Sequence, residues 1–252
     1  MVEYNEQAVD EWDRKVAVMF IGNKGVGKST LLSQLGGNFK SGFSFMEGIT
    51  KDASEQEVNI GGQPTILIDV PGLYDTTEKG TRINSKKLTE ALNLGYHYKL
   101  FFVLAGNSRG ISDEDLVLMF RVNEAISDAM GSKVEFWLIV NRIHGEKELQ
   151  EYERHLTPES FQKDLFQIAT AFGTHPVDIR IRGIVLLRYD EKAVENRGFY
   201  HRLLPCVMAQ IPVRLKVKQI SASVGDISLI KKIVITLSSL GLLTTIVLLA
   251  VL

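Results

Sequence analysis

The sequence predicts an α/β three-layer sandwich. It has a mostly parallel sheet with one antiparallel edge strand, helices on both faces, and a C-terminal transmembrane helix. Three observations carry this. Between residues 15 and 211, short apolar runs alternate with helix-length stretches. Such runs suit strands buried on both faces, the condition of a parallel sheet. A glycine-rich turn follows the first run and opens a helix. The last twenty residues, 233–252, carry no charge.

The elements follow in order. Residues 15–21 (KVAVMFI) form the first buried strand and 29–35 the helix after it. Residues 57–60 and 65–69 (TILID) are strands joined by a Gly61-Gly62 turn, and this hairpin supplies the antiparallel edge. A helix over 83–95 comes next. The runs 99–104 (KLFFVL) and 134–140 (VEFWLIV) are apolar enough for central strands. Helices are expected over 112–130 and 159–172. Ser112 and Thr157 suit their N-caps, and Asp113 and Pro158 their first turns. Residues 184–187 (IVLL) form the last strand. In the helix expected over about 199–210, Pro205 imposes a kink or a later start.

Composition bounds the function. Of 252 residues, 45% are apolar and 23% charged, which excludes wholesale disorder. The single cysteine, Cys206, excludes an internal disulfide scaffold. A net charge of -1 gives no electrostatic footprint for nucleic acid, so no such partner is expected. Residues 1–14 read as an acidic extension, with Glu3, Glu6, Asp10, Glu11 and Asp13 against Arg14, unlike a signal or transit peptide. Residues 15–211 are the main domain. Residues 212–232 read as a basic linker, with Arg214, Lys216, Lys218, Lys231 and Lys232 against Asp226.

Residues 233–252 read as the membrane tail. As a helix they extend roughly 30 Å, the thickness of a bilayer's hydrocarbon core. Thirteen of them are Ile, Leu or Val. Those side chains favour insertion by about 4–8 kcal/mol in sum, as an upper bound. The expectation is a single-pass tail anchor in membrane lipid, with the main domain in the cytosol and Lys231 and Lys232 on the cytosolic side.

The sharpest motif is Gly22-Asn23-Lys24-Gly25-Val26-Gly27-Lys28-Ser29, followed by Thr30. It matches the phosphate-binding loop GxxxxGK[ST], between a strand and a helix as the mechanism needs. Gly25 and Gly27 let backbone N–H groups approach phosphate oxygens. Lys28 neutralises the β- and γ-phosphates, and the Ser29 hydroxyl ligates Mg²⁺. Asp69-Val70-Pro71-Gly72 follows the TILID strand. Asp69 there holds Mg²⁺ through water, and the Gly72 amide senses a γ-phosphate. Thr50, in Gly48-Ile49-Thr50, completes the metal's coordination in the triphosphate state, which makes loop 37–54 a switch. Lys28, Thr50 and Gly72 are therefore the candidate catalytic residues, and Ser29, Thr50 and Asp69 the metal ligands.

These motifs, in this order, resemble the TRAFAC class of GTPases over residues 14–210. "GIT" and "DVPGLYD" look like its septin-related branch, which holds the AIG1-type immunity-associated GTPases (GIMAP family) and the chloroplast Toc GTPases. The resemblance implies a P-loop guanine-nucleotide domain that binds GTP or GDP with Mg²⁺. It also implies pairing of two copies across the nucleotide face, and often a C-terminal anchor. Leu73 stands where small signalling GTPases carry a catalytic glutamine, so slow hydrolysis is expected.

After the strand WLIV the chain reads Asn141-Arg142-Ile143-His144 where the family reads the base. Asn141 can contact the base. His144 lacks the two acceptors of a carboxylate but can stack on a purine or donate to its edge, and Glu146 or Glu148 can reach in instead. The preference for GTP over ATP rests on the resemblance. Arg188 and Tyr189 sit where a base-backing loop would lie. Arg109 is a candidate for a charge supplied in trans.

Overall fold

The computed structural model describes residues 15–39, 53–106, 111–130 (side chains to 126), 134–172, 179–192 and 197–243. Along the chain lie β1 (Val16–Ile21), α1 (Lys28–Gln34), β2 (Ser54–Ile60), β3 (Gln63–Asp69), α2 (Glu78–Leu92), β4 (His97–Ala105) and α3 (Asp113–Met130). Then come β5 (Glu135–Ile143), α4 (Glu146–His155), α5 (Pro158–Phe172), β6 (Arg180–Arg188), α6 (Tyr200–Ala209), β7 (Val213–Arg214) and α7 (Val224–Ser239). The strands run in the order β2-β3-β1-β4-β5-β6. Pairing is parallel from β3 through β6, and β2 lies antiparallel to β3 at the edge. The six strands expected from the sequence and their antiparallel edge are present; β7, antiparallel to β4, is a seventh strand that was not among them.

The apolar runs form central strands because both of their faces are covered. Ala17, Met19 and Ile21 of β1 pack with Leu88, Leu116 and Phe161 on one side. Val18 and Phe20 pack with Leu31, Leu32 and Leu203 on the other. Successive strand side chains point to opposite faces, so one six-residue strand feeds two cores. The predicted caps also hold. Ser112 Oγ accepts from the Asp115 N–H at 3.1 Å, and Thr157 Oγ1 from the Ser160 N–H at 3.2 Å.

Several expectations change. Helix α4 was not anticipated, because only Leu149 and Tyr152 of its ten residues are buried and the apolar period is thin. Its charges were the available signal: Glu146 and Glu148 in the first turn, Arg154 and His155 in the last, as the helix dipole favours. Helix α2 starts at Glu78, capped by Thr77, rather than at 83. Pro205 lies inside α6, which runs on despite the missing N–H.

The segment read as a linker, 212–232, is built into the domain. β7 pairs antiparallel with the start of β4, and Leu215, Val217 and Ile220 are buried. The Val217 N–H donates to Asn93 Oδ1 at 2.8 Å and the Ile220 N–H to Thr89 Oγ1 at 3.0 Å, both on or just after α2. Lys216 and Lys218 alternate with Leu215 and Val217, a period of two that a count of charges hides.

The expected uninterrupted helix over 233–252 is not found in that form. Its first seven residues complete α7, which ends at Ser239 ahead of Gly241 at φ 68°. No helix among the described residues is long and apolar enough to cross a membrane. α7 packs on α3 and α5, burying Ile230 and part of Ile233, Val234 and Leu237. Ser223 and Asp226 form a capping box at its start. Arg121 of α3 then holds Asp226 through two bonds, 3.1 and 2.9 Å. Residues 1–14, Thr50, Arg109 and 244–252 lie outside the described residues.

Candidate nucleotide site

The site forms at the C-terminal ends of β1, β3 and β5, where their parallel register brings three loops together. Lys28 opens α1 and is buried. Its Nζ donates to the Asn23 carbonyl at 3.0 Å, across the loop it closes. Burial lowers its pKa to about 8, against the pull of Asp69 and Asp115. Lys24 and Gly25 are exposed, Val26 is buried, and Ser29 and Thr30 are half-buried in the first turn.

Gly27 has φ 97°, and a Cβ there would overlap the side-chain amide of Asn141. Only glycine fits both constraints. The reason is a cross-link: Asn141 Nδ2 donates to the Val26 carbonyl at 2.9 Å, pinning the end of β5 to the phosphate loop. Gly72 lies equally close to the loop on its other side. A Cβ on it would overlap the Lys24 amide. Asn23 joins the same contact, accepting the Tyr74 N–H on Oδ1 at 3.4 Å.

Ser29 Oγ donates to Asp69 Oδ2 at 2.6 Å. The two described metal candidates therefore meet at one point. A hydroxyl and a carboxylate are the hard oxygen donors that Mg²⁺ takes alongside water and phosphate, so the pair fits the ion. The third candidate, Thr50, lies outside the described residues. Leu73 is fully buried in the core.

After β5, His144 is exposed and its ring lies 5.2 Å from that of Tyr189, tilted by 39°. The Tyr189 N–H donates to the Ile143 carbonyl at 2.8 Å, and Arg188 pairs with Glu146 at 2.7 Å. These bonds tie the loop after β5 to the loop after β6. Arg142 has φ 64°, an unusual conformation for a side-chain-bearing residue. The His144 N–H donates to Glu148 Oε2 at 2.9 Å, so this carboxylate caps the loop. A cavity of about 490 Å³ between α4, the end of β6 and α6 is lined by Glu146, Arg188, Asp190 and Arg202 rather than by the phosphate loop.

One residue at the site escaped the sequence reading. Asp115 of α3 is buried and accepts from Asn23 Nδ2 at 2.9 Å. In the sequence it is one of three acids opening a helix, which reads as ordinary dipole compensation.

A parallel sheet with a glycine-rich phosphate loop after its first strand, and a Ser–Asp pair beside the loop's lysine, defines a P-loop nucleotide-binding domain. Residues 17–142 match the sequence model of the 50S ribosome-binding GTPase family, half of the chain, and the chain belongs to that family. It is 27% identical over 183 residues to GTPase Der of Thermotoga sp. (strain RQ2), covering 72% of this chain and 38% of Der. It is 31% identical over 100 residues to the tRNA modification GTPase MnmE of Lacticaseibacillus paracasei, covering 40% of this chain and 21% of MnmE. The chain thus spans well under half the length of these relatives. Among solved structures it is similar to Toc33 from Arabidopsis thaliana in complex with GDP and Mg²⁺. That match has a TM-score of 0.48 and 14% identity, over 83% of this chain and 92% of Toc33.

Proposed function

We propose that this chain is a guanine-nucleotide switch that binds GTP with Mg²⁺ and hydrolyses it slowly. The observation that carries this is the convergence of Lys28, the Ser29–Asp69 pair and Gly72 on one loop, with buried Leu73 following Gly72. Lys28 exchanges the Asn23 carbonyl for phosphate oxygens. A nearby anion raises its pKa again, so it stays protonated at neutral pH. Mg²⁺, when bound, neutralises the phosphate charge. Ser29 and Asp69 orient toward it, and the Gly72 amide meets the γ-phosphate. Asn141 keeps the phosphate loop in register, and His144 with Tyr189 offers an aromatic platform for the base.

Leu73 has no group to orient a water, so the missing catalytic group comes from a second copy across the nucleotide face. "GIT" and "DVPGLYD" support the AIG1-type branch. The apolar run 233–252, with Ile235, Leu240 and Leu242 exposed, supports a membrane-lipid partner and a cytosolic domain.

Two measurements test this reading. Lys28→Ala should weaken GTP binding at least tenfold, the loss of a charged partner costing about 2–5 kcal/mol. Unchanged affinity would remove the phosphate-loop assignment, and tighter binding of ATP than GTP would replace the nucleotide. The specific rate of GTP hydrolysis should also rise with protein concentration. A fast rate independent of concentration would exclude the second copy.

A further inference from the structure

Three bonds meet on Asn23, and each uses a different atom. Its carbonyl accepts from Lys28 Nζ at 3.0 Å, its Oδ1 from the Tyr74 N–H at 3.4 Å, and its Nδ2 donates to Asp115 Oδ1 at 2.9 Å. A backbone N–H can only donate, so Tyr74 fixes which end of the Asn23 amide is oxygen. The NH₂ end must then face Asp115. Asn23 is 5% exposed and Asp115 2% exposed, so water replaces neither partner.

A carboxylate in so dry a place is costly unless something uses it. The first turn of α3 has no need of it for the helix dipole, because Asp113 and Glu114 already stand there. Lys28 faces Asp115 through space rather than through a direct bond, and Ser112 flanks it.

We propose that Asp115 is a positioning residue for triphosphate recognition. It fixes the Asn23 amide, and Asn23 in turn fixes the loop carrying Gly72 and Tyr74 against the phosphate loop. The inference rests on the guanine-nucleotide reading above and adds a residue to it. Tyr74 lies two positions after Gly72, whose amide senses the γ-phosphate. Loosening the Tyr74 N–H therefore disturbs a contact that a triphosphate uses and a diphosphate does not. The loop's grip on the β-phosphate stays with Lys28 and the backbone, which both nucleotides share.

The test uses the full chain with Mg²⁺ and measures GDP and a non-hydrolysable GTP analogue in parallel. Asp115→Ala should weaken the triphosphate about tenfold, the worth of one buried hydrogen bond, and the diphosphate less than about threefold. Asp115→Asn keeps an acceptor for Asn23 Nδ2 and should restore the triphosphate to within about threefold of the wild type. Asn23→Ala should reproduce the triphosphate loss. The double variant Asn23→Ala/Asp115→Ala should be no worse than the poorer single, because both break one chain of contacts. Equal losses of both nucleotides, or single effects that add, would overturn the proposal. If Asp115→Ala fails to fold, Asn23→Ala alone decides, and an unchanged ratio of triphosphate to diphosphate affinity in it overturns the inference. A wild type that binds neither nucleotide would refute the functional reading itself, and this inference with it.

Discussion

Burial pushes the Asp115 carboxyl up to about 6, with Glu114 adding to the rise, while bonds from Ser112 and Asn23 and the charge of Lys28 pull it down. The consequence for stability has a definite sign. The folded form holds its proton more tightly than the unfolded chain, whose carboxyl titrates near 3.8. Stability from this group is therefore full below about 3.8 and is lost as pH rises through about 6. Asp115→Asn, which has no such proton to lose, should gain stability relative to the wild type between those values and then level off. The gain is on the order of 2–3 kcal/mol. Urea unfolding at a series of pH values measures it. A difference that stays flat with pH would show that Asp115 is not held neutral by burial. The same scale explains which site residues the sequence disclosed. Lys28, Ser29 and Asp69 belong to short local patterns whose spacing reports their chemistry. Asp115 belongs to none, because its partner Asn23 is 92 residues away.

Helix α7 shows how one element joins three parts of the chain. Its N-terminal turn is held by Arg121 of α3, which bonds Asp226 twice, bonds Glu124 at 2.9 Å, and lies 5.1 Å over the Phe172 ring of α5. The Val224 N–H also donates to Glu78 at the start of α2, at 3.0 Å. Both charges of the Arg121–Asp226 pair are largely buried. Removing one leaves the other poorly solvated, a loss of about 1–3 kcal/mol. Arg121→Ala should therefore loosen α7 before it unfolds the sheet. Limited proteolysis should cut near residues 221–232 in the variant and spare the wild type. Equal resistance would mean that the apolar contacts of Ile230 and its neighbours hold the helix unaided. The chain pattern over 212–232 offered a count of basic residues. What decided its structure was the set of hydrogen-bonding side chains, both donors and acceptors, that α2 and Asn93 present to it.

On the scale of the whole molecule, the question is what the apolar C-terminal run does once part of it is folded into the domain. Deleting 229–252 would remove Ile230 and Leu237 from the core and confound any reading of the tail. Deleting only 244–252 leaves α7 intact. If the run carries the chain to lipid, the full chain should float with liposomes and the shortened chain should not, while both bind nucleotide equally. Flotation of both would place lipid binding outside those nine residues. The sequence by itself determined six strands of the sheet, its edge hairpin, the phosphate loop, the Asp69–Gly72 motif and the caps at Ser112 and Thr157. Each is written in a local period or a short spacing, and local geometry is enough to express it. Only the tertiary structure decided that 213–220 is stitched to α2, that the tail begins as a docked helix, and that Asp115 stands behind the phosphate loop. Each of these depends on which distant surface supplies a partner, and burial against that surface outweighs the local pattern of charge and hydrophobicity.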